Sequence, residues 1–137
     1  MKHLQEIICG AAGAIGGAIA AAFGGWSNDL TVLVAFMVID YITGVMCAIS
    51  NHTLSSEVGF KGICRKVLIF LLVGIGSILD LHVIGSGSVL RTAVIFFYIS
   101  NEGVSILENA AHLGLPVPEK IKVVLEQLHD RSTKEEN

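Results

Sequence analysis

An aspartate stands in the middle of an apolar run long enough to cross a bilayer. Asp40 lies near the centre of residues 30–50, between Ile39 and Tyr41. A hydrocarbon core about 30 Å thick needs roughly 20 apolar residues in helical form. A charge at the centre of such a helix costs at least ~2.5–3.5 kcal/mol. Asp40 is therefore expected to face protein, a water-filled path or a partner, or else to be protonated. Three further stretches approach spanning length. Residues 6–25 are almost wholly Gly, Ala and Ile, residues 66–84 carry Asp80 near their far end, and residues 89–113 are more polar. A spanning backbone must satisfy its own hydrogen bonds, so these stretches predict helices. A closed barrel would need many ~10-residue alternating strands, which are missing. The expected fold is an all-α integral membrane protein with three to four transmembrane helices, plus a short C-terminal amphipathic helix, assembling as a homo-oligomer.

Composition narrows the function. Hydrophobic residues make up 53% of the chain and charged residues 15%, against roughly 25% charged in a soluble domain. A soluble chain of 137 residues would need more polar surface. The net charge of −3 argues against a nucleic-acid partner. Cys9, Cys47 and Cys64 are widely spaced, and His3, His52, His82, His112 and His129 are scattered singly. Neither set has metal-ligand spacing, so no metal or cofactor is expected. Lys2, the apolar run and Ala20-Ala21-Ala22 have the layout of a signal peptide, but the run is long for one. Removal of this segment, or its lying flat, would leave three spans.

The basic residues orient the bundle. With four spans, the N-terminus, the 51–65 loop and the C-terminal tail share one side. That side, with the boundary residue Lys66, holds Lys2, Lys61, Arg65, Lys66, Lys120, Lys122, Arg131 and Lys134, while Arg91 alone lies on the other. Cytoplasmic loops carry the excess of Lys and Arg, so both termini are expected in the cytoplasm. Lys61, Arg65 and Lys66 at the bilayer edge suit anionic headgroups. Asp80 and Arg91 both fall towards the outer face, where an ion pair between them is expected.

Two helix faces stand out. Gly13, Gly17, Ala21 and Gly25 recur every four residues, a spacing that lets helix backbones pack closely in a membrane. The face serves self-association, or packing within the chain's own bundle. In the fourth segment Arg91, Tyr98, Asn101, Glu102, Ser105, Glu108, Asn109 and His112 fall in one stripe about 120° wide at 100° per residue. Such a stripe faces other helices, the cytoplasm, or a lumen shared by several copies. Asp40, Asp80 and Arg91 are the candidate intramembrane subunit contacts.

Residues 54–62 read as the main inner loop, with Ser55 or Ser56 as a helix cap. Pro116 and Pro118 end the fourth segment and open a helix in which Ile121, Val124, Leu125 and Leu128 share a face. Residues 1–115 thus form a transmembrane helical domain. Residues 116–137 form a cytoplasmic amphipathic helix and a charged tail that frays from Ser132.

Several short motifs now fall into an order. They are Asp40-Tyr41-Ile42-Thr43-Gly44 with Ala48, then Gly59, Gly62 and Arg65-Lys66. Asp80, Arg91, Asn101-Glu102, Ser105-Ile106-Leu107-Glu108-Asn109 and Gly114-Leu115-Pro116-Val117-Pro118 follow. In this order and spacing the chain resembles the toxin-secretion/phage-lysis holins of Gram-positive hosts and their phages, over roughly residues 30–128. The Gly/Ala-rich first segment lies outside the pattern. The resemblance implies a small protein of the bacterial host cytoplasmic membrane that self-associates and opens lesions. Through these an endolysin, or in some relatives a toxin, passes as cargo. It implies no catalytic residue. A non-lytic membrane binding protein, such as a holin antagonist or a transporter accessory subunit, is the alternative.

Overall fold

The computed structural model describes residues 1–135 and is all-helical among them. Five α-helices follow one another: α1 (Lys2–Ala22), α2 (Asn28–Ser50), α3 (Ser56–Leu79), α4 (Val89–His112) and α5 (Glu119–Glu135). A π-helical turn, Asp80–Ile84, extends α3. Four segments are long and apolar enough to cross a membrane: Lys2–Ala21, Asn28–Ser50, Ser56–Ile84 and Val89–His112. The third is longer than its apolar run suggests. The expected loop over 54–62 is short, because Ser55 accepts a hydrogen bond from the Val58 N–H at 3.2 Å and starts α3 at Ser56. Helix α5 continues past Ser132 to Glu135. Glu136 and Asn137 of that tail lie outside the described residues.

Helices α2, α3 and α4 form the core. Leu30, Leu33 and Met37 of α2 meet Ile69 and Val73 of α3 and Ile95 and Ile99 of α4. Helices α2 and α4 run in the same direction, with Ser27 beside Arg91 at one end and Asn51 beside His112 at the other. Helix α3 runs back between those ends. The outward faces carry apolar stripes at helical spacing: Val38, Ile42, Met46 and Ile49 on α2, and Val67, Leu71, Ile75 and Ile78 on α3. In water these rows would oppose folding; against lipid chains they are neutral.

Helix α1 stands apart. Gly13 and Gly17 have nothing within 4 Å of where a Cβ would lie, so the small-residue face packs on no other helix of its own chain. The helix ends at Ala22 in a Schellman motif, in which Gly24 N–H reaches Ala21 O and Gly25 N–H reaches Ala20 O. Gly24, at φ +83°, occupies the left-handed position that this motif requires. Gly25 therefore belongs to the turn and not to the Gly13–Gly17–Ala21 face, which corrects the four-residue reading. The turn docks α1 on the bundle. Phe23 fills a notch at Gly74, where a Cβ would come within 2.6 Å of its ring.

The two charged residues at this end do different work from that expected. Asp80 and Arg91 form no ion pair. The Asp80 carboxylate accepts from the backbone N–H groups of Leu90 (3.0 Å) and Arg91 (2.9 Å). These are second- and third-position donors of α4, which its own Ser88 side chain leaves unmet. The π-helical turn, closed by Gly85 N–H to Asp80 O, carries the carboxylate to that spot. The Arg91 guanidinium points the other way, to Phe23 O (2.8 Å), Gly25 O (2.8 Å) and Ser27 Oγ (3.2 Å). Backbone groups win here because both helix ends have donors or acceptors that their own helices leave unmet. Replacing Asp80 with Ala strands two N–H groups, one of them buried, and is expected to cost about 2 kcal/mol. The thermal midpoint of the detergent-solubilised protein should fall accordingly; an unchanged midpoint would show that α4 does not depend on this cap.

Candidate functional site

The Asp40 segment sends one side chain after another to a different neighbour. Tyr41 donates its hydroxyl to Gly59 O at 3.4 Å. Its ring lies over Gly59 and Gly62, where a Cβ would sit 3.3 and 3.2 Å from it. Thr43 donates to Ile39 O in its own helix and accepts from Asn109 Nδ2 at 2.9 Å. Gly44 faces the same amide, 3.9 Å from where its Cβ would be. Asp40 itself meets α3 and α4 together. Its Oδ2 accepts from Lys66 Nζ at 2.8 Å and its Oδ1 from Asn109 Nδ2 at 3.3 Å.

Lys66 is the hinge of this arrangement. Its ammonium also donates to Glu102 Oε2 at 2.6 Å, so one cation bridges two carboxylates on two helices. None of the three side chains is more than 16% exposed. Lys66 is thus not a headgroup anchor. The early start of α3 moves it more than two turns into the helix, and its stem points at the bundle interior. Lys61 and Arg65 stay exposed, with Lys61 3.5 Å from Glu57.

Around the bridge lies a cavity of about 880 Å³. Tyr98, Asn101, Glu102, Ser105, Glu108 and Asn109 of the α4 stripe all line it, as do Asp40, Arg65 and Lys66. Glu126 and Asp130 of α5 close part of its rim. The stripe is therefore the polar wall of one half-open chamber, whose other walls include Val45, Val58, Leu68 and Leu72. His112 falls outside it and pairs with Asn51 at 2.8 Å at the end of the bundle. Asp80 and Arg91 lie at the opposite end, and the Gly13–Gly17–Ala21 face lies on α1. Among the described residues every buried side-chain nitrogen or oxygen has a partner. Asp40, Asp80 and Glu102 are sheltered by their own chain, so the expected need for a second copy does not follow from them, while Glu108 stays exposed.

The chamber can hold water and charge between helices that otherwise meet lipid. Formally it has more acid than base, because Lys66 faces both Asp40 and Glu102. Removing the ammonium alone leaves two buried carboxylates close together. Lys66→Met is expected to cost on the order of 3–5 kcal/mol. Adding Asp40→Asn and Glu102→Gln to it should recover most of that loss in thermal midpoint and membrane yield. Equal stability of the single and triple variants would remove the bridge from the account.

Comparison with known proteins gives the arrangement its family. The chain matches the bacteriophage holin family over residues 17–130. It is 41% identical over 109 residues to an uncharacterised 14.9 kDa protein of the nagH 3′ region in Clostridium perfringens, covering 80% of this chain and 83% of that one. It is 34% identical over 135 residues to an uncharacterised protein of Halalkalibacterium halodurans, covering 96% and 100%. It is 37% identical over 100 residues to a probable holin of Bacillus phage phi105, covering 73% and 71%. No solved structure matches. A family match over most of the chain, joined to four helices of spanning length, makes this protein a member of the bacteriophage holin family.

Proposed function

We propose that the chain is a pore-forming holin. Copies associate in the bacterial cytoplasmic membrane and open a hydrophilic lesion through which an endolysin, or a toxin, crosses. The observation that carries this reading is the α4 stripe, with six polar residues lining one chamber inside a bundle whose other faces are apolar. Copies that turn these chambers towards a common axis give a wet lumen with lipid-compatible outer walls. The protein acts by assembly and carries out no catalysis. Both termini lie in the cytoplasm, in keeping with the seven basic residues left on that side once Lys66 is taken into the bundle, against Arg91 on the other. Lys61 and Arg65 meet anionic headgroups there.

Inducing the chain in bacteria should arrest growth after a delay, collapse the membrane potential and release a co-expressed endolysin. High membrane levels without depolarisation would count decisively against a pore. The lumen has its own test. Cysteines placed at Asn101, Ser105 and Glu108 should react with a membrane-impermeant thiol reagent only after depolarisation, while a cysteine at Ile42 stays unlabelled. Equal labelling at both sets would move the lumen elsewhere.

One observation favours a second reading. The buried polar groups find their partners within a single chain. A non-lytic membrane binding protein, such as a holin antagonist or a transporter accessory subunit, would need no more. Recovery of a stoichiometric foreign partner with no homo-oligomer would select it.

A further inference from the structure

Asp40, Lys66 and Glu102 stand at one height in the bundle. Asp40 is ten residues before Ser50, the last of α2, and Glu102 is ten before His112, the last of α4. Lys66 is ten residues after Ser56, the first of α3, counted from the same end of the bundle. At 1.5 Å per residue each lies about 15 Å from that end, half of a ~30 Å hydrocarbon core. One cation faces two acids there, so the cage has a formal excess of one negative charge where charge is most costly. The Asp40 and Glu102 carboxyl groups lie within hydrogen-bonding reach of each other as well as of the ammonium. Ionised carboxylates only accept, so a bond between two of them needs a proton on one. The surroundings of each decide which. Asp40 also accepts from Asn109 Nδ2 at 3.3 Å, a donor that favours its anion. Glu102 is the more deeply buried, with 10% of its side chain exposed against 16% for Asp40, and its ammonium partner is shared with Asp40.

We propose that this cage is a proton-binding site: the Asp40–Glu102 pair takes up one proton, on Glu102, and with Lys66 becomes neutral at mid-depth. The Glu102 O–H donates to the Asp40 carboxylate, and the Lys66 ammonium donates to both groups. One cation, one anion and one neutral acid leave no net charge. The half-open side of the chamber gives the proton its route in and out. The other titratable or charged groups around the chamber are Tyr41 of α2, Arg65 of α3, Tyr98 and Glu108 of α4, and Glu126 and Asp130 of α5. Arg65 and the three acids are exposed, so solvent screens them, and their balance of three acids against one base favours uptake of the proton. Release of the proton sets two anions on one ammonium and drives α2 and α4 apart at this height. The fit of these two helices thus follows proton activity. The inference concerns a single chain and does not depend on pore formation.

Infrared spectroscopy of the full-length chain in phosphatidylcholine nanodiscs tests it. At about pH 6.5 ordinary carboxyl groups, which titrate at about pH 4, are ionised. The unaltered chain should still show the C=O stretch of a protonated carboxylic acid, and the band should shift in heavy water. Glu102→Gln should lose the band. Asp40→Asn should lose it too, because an ionised Glu102 alone against Lys66 is already a neutral pair. Glu108→Gln should keep it. Circular dichroism of the same samples checks that each variant is folded. No band in the unaltered chain, or a band that survives either Glu102→Gln or Asp40→Asn, overturns the proposal. The thermal midpoint gives a second reading on the unaltered chain alone. The folded state holds one proton more than the unfolded chain, so this stabilisation is present while the proton is bound and is lost as pH rises past its release. The midpoint should fall over the pH range in which the band vanishes. A midpoint that holds or rises through that range overturns the proposal even where a variant fails to fold.

Discussion

The contact of Lys66 with both Asp40 and Glu102 is the interaction on which the bundle depends. Three helices contribute one ionisable group each, and the single ammonium serves both carboxyl groups. An isolated carboxylate in the middle of α2 would oppose insertion, and so would one in α4. With the ammonium between them, each helix can enter only as part of the set. The bridge therefore specifies which helices are neighbours and at what height. Tyr41 against Gly59 and Gly62, and Asn109 against Thr43, then fix rotation about each axis.

The far end of the bundle is held by a different kind of contact. Asp80 and Arg91 spend their charges on backbone groups, one capping α4 and the other gripping the turn between α1 and α2. The Arg91 end and the middle of the bundle are thus polar and specific, while between them lies ordinary packing of Leu, Ile, Val and Met. This division separates duties. Packing can loosen or repack in the membrane without changing which helix lies next to which.

Much of this was legible in the chain. The boundaries of α2 and α4 follow from hydropathy and from the prolines and glycines beyond them. The α4 stripe follows from periodicity, because its polar residues recur at helical spacing regardless of what they meet. Lys66 was misread for a physical reason: a basic residue at the edge of an apolar run has the same sequence signature whether it reaches out or in. Glu57, Lys61 and Arg65 before it hid the first turns of α3, although Ser55 offered the cap. The Asp80–Arg91 pairing failed because opposite charges invite each other on paper. The geometry of a π-helical turn, which decides what Asp80 reaches, leaves no mark in composition. Gly74 and Gly103 receive Phe23 and Leu125 only because of the tertiary fold, and nothing local distinguishes them from Gly10 or Gly16.

The docking of α1 has a consequence for how the molecule tolerates change. Apart from a brief approach of its last turn to α3, what joins this helix to the rest passes through five residues, Phe23 to Ser27. From Met1 to Ala21 no side chain is buried in the core, so substitutions there have little mechanical route into it. The helix is an outrigger on a single joint. Its length, its tilt and even whether it lies across or along the bilayer can vary between relatives while the three-helix frame behind the joint keeps its shape.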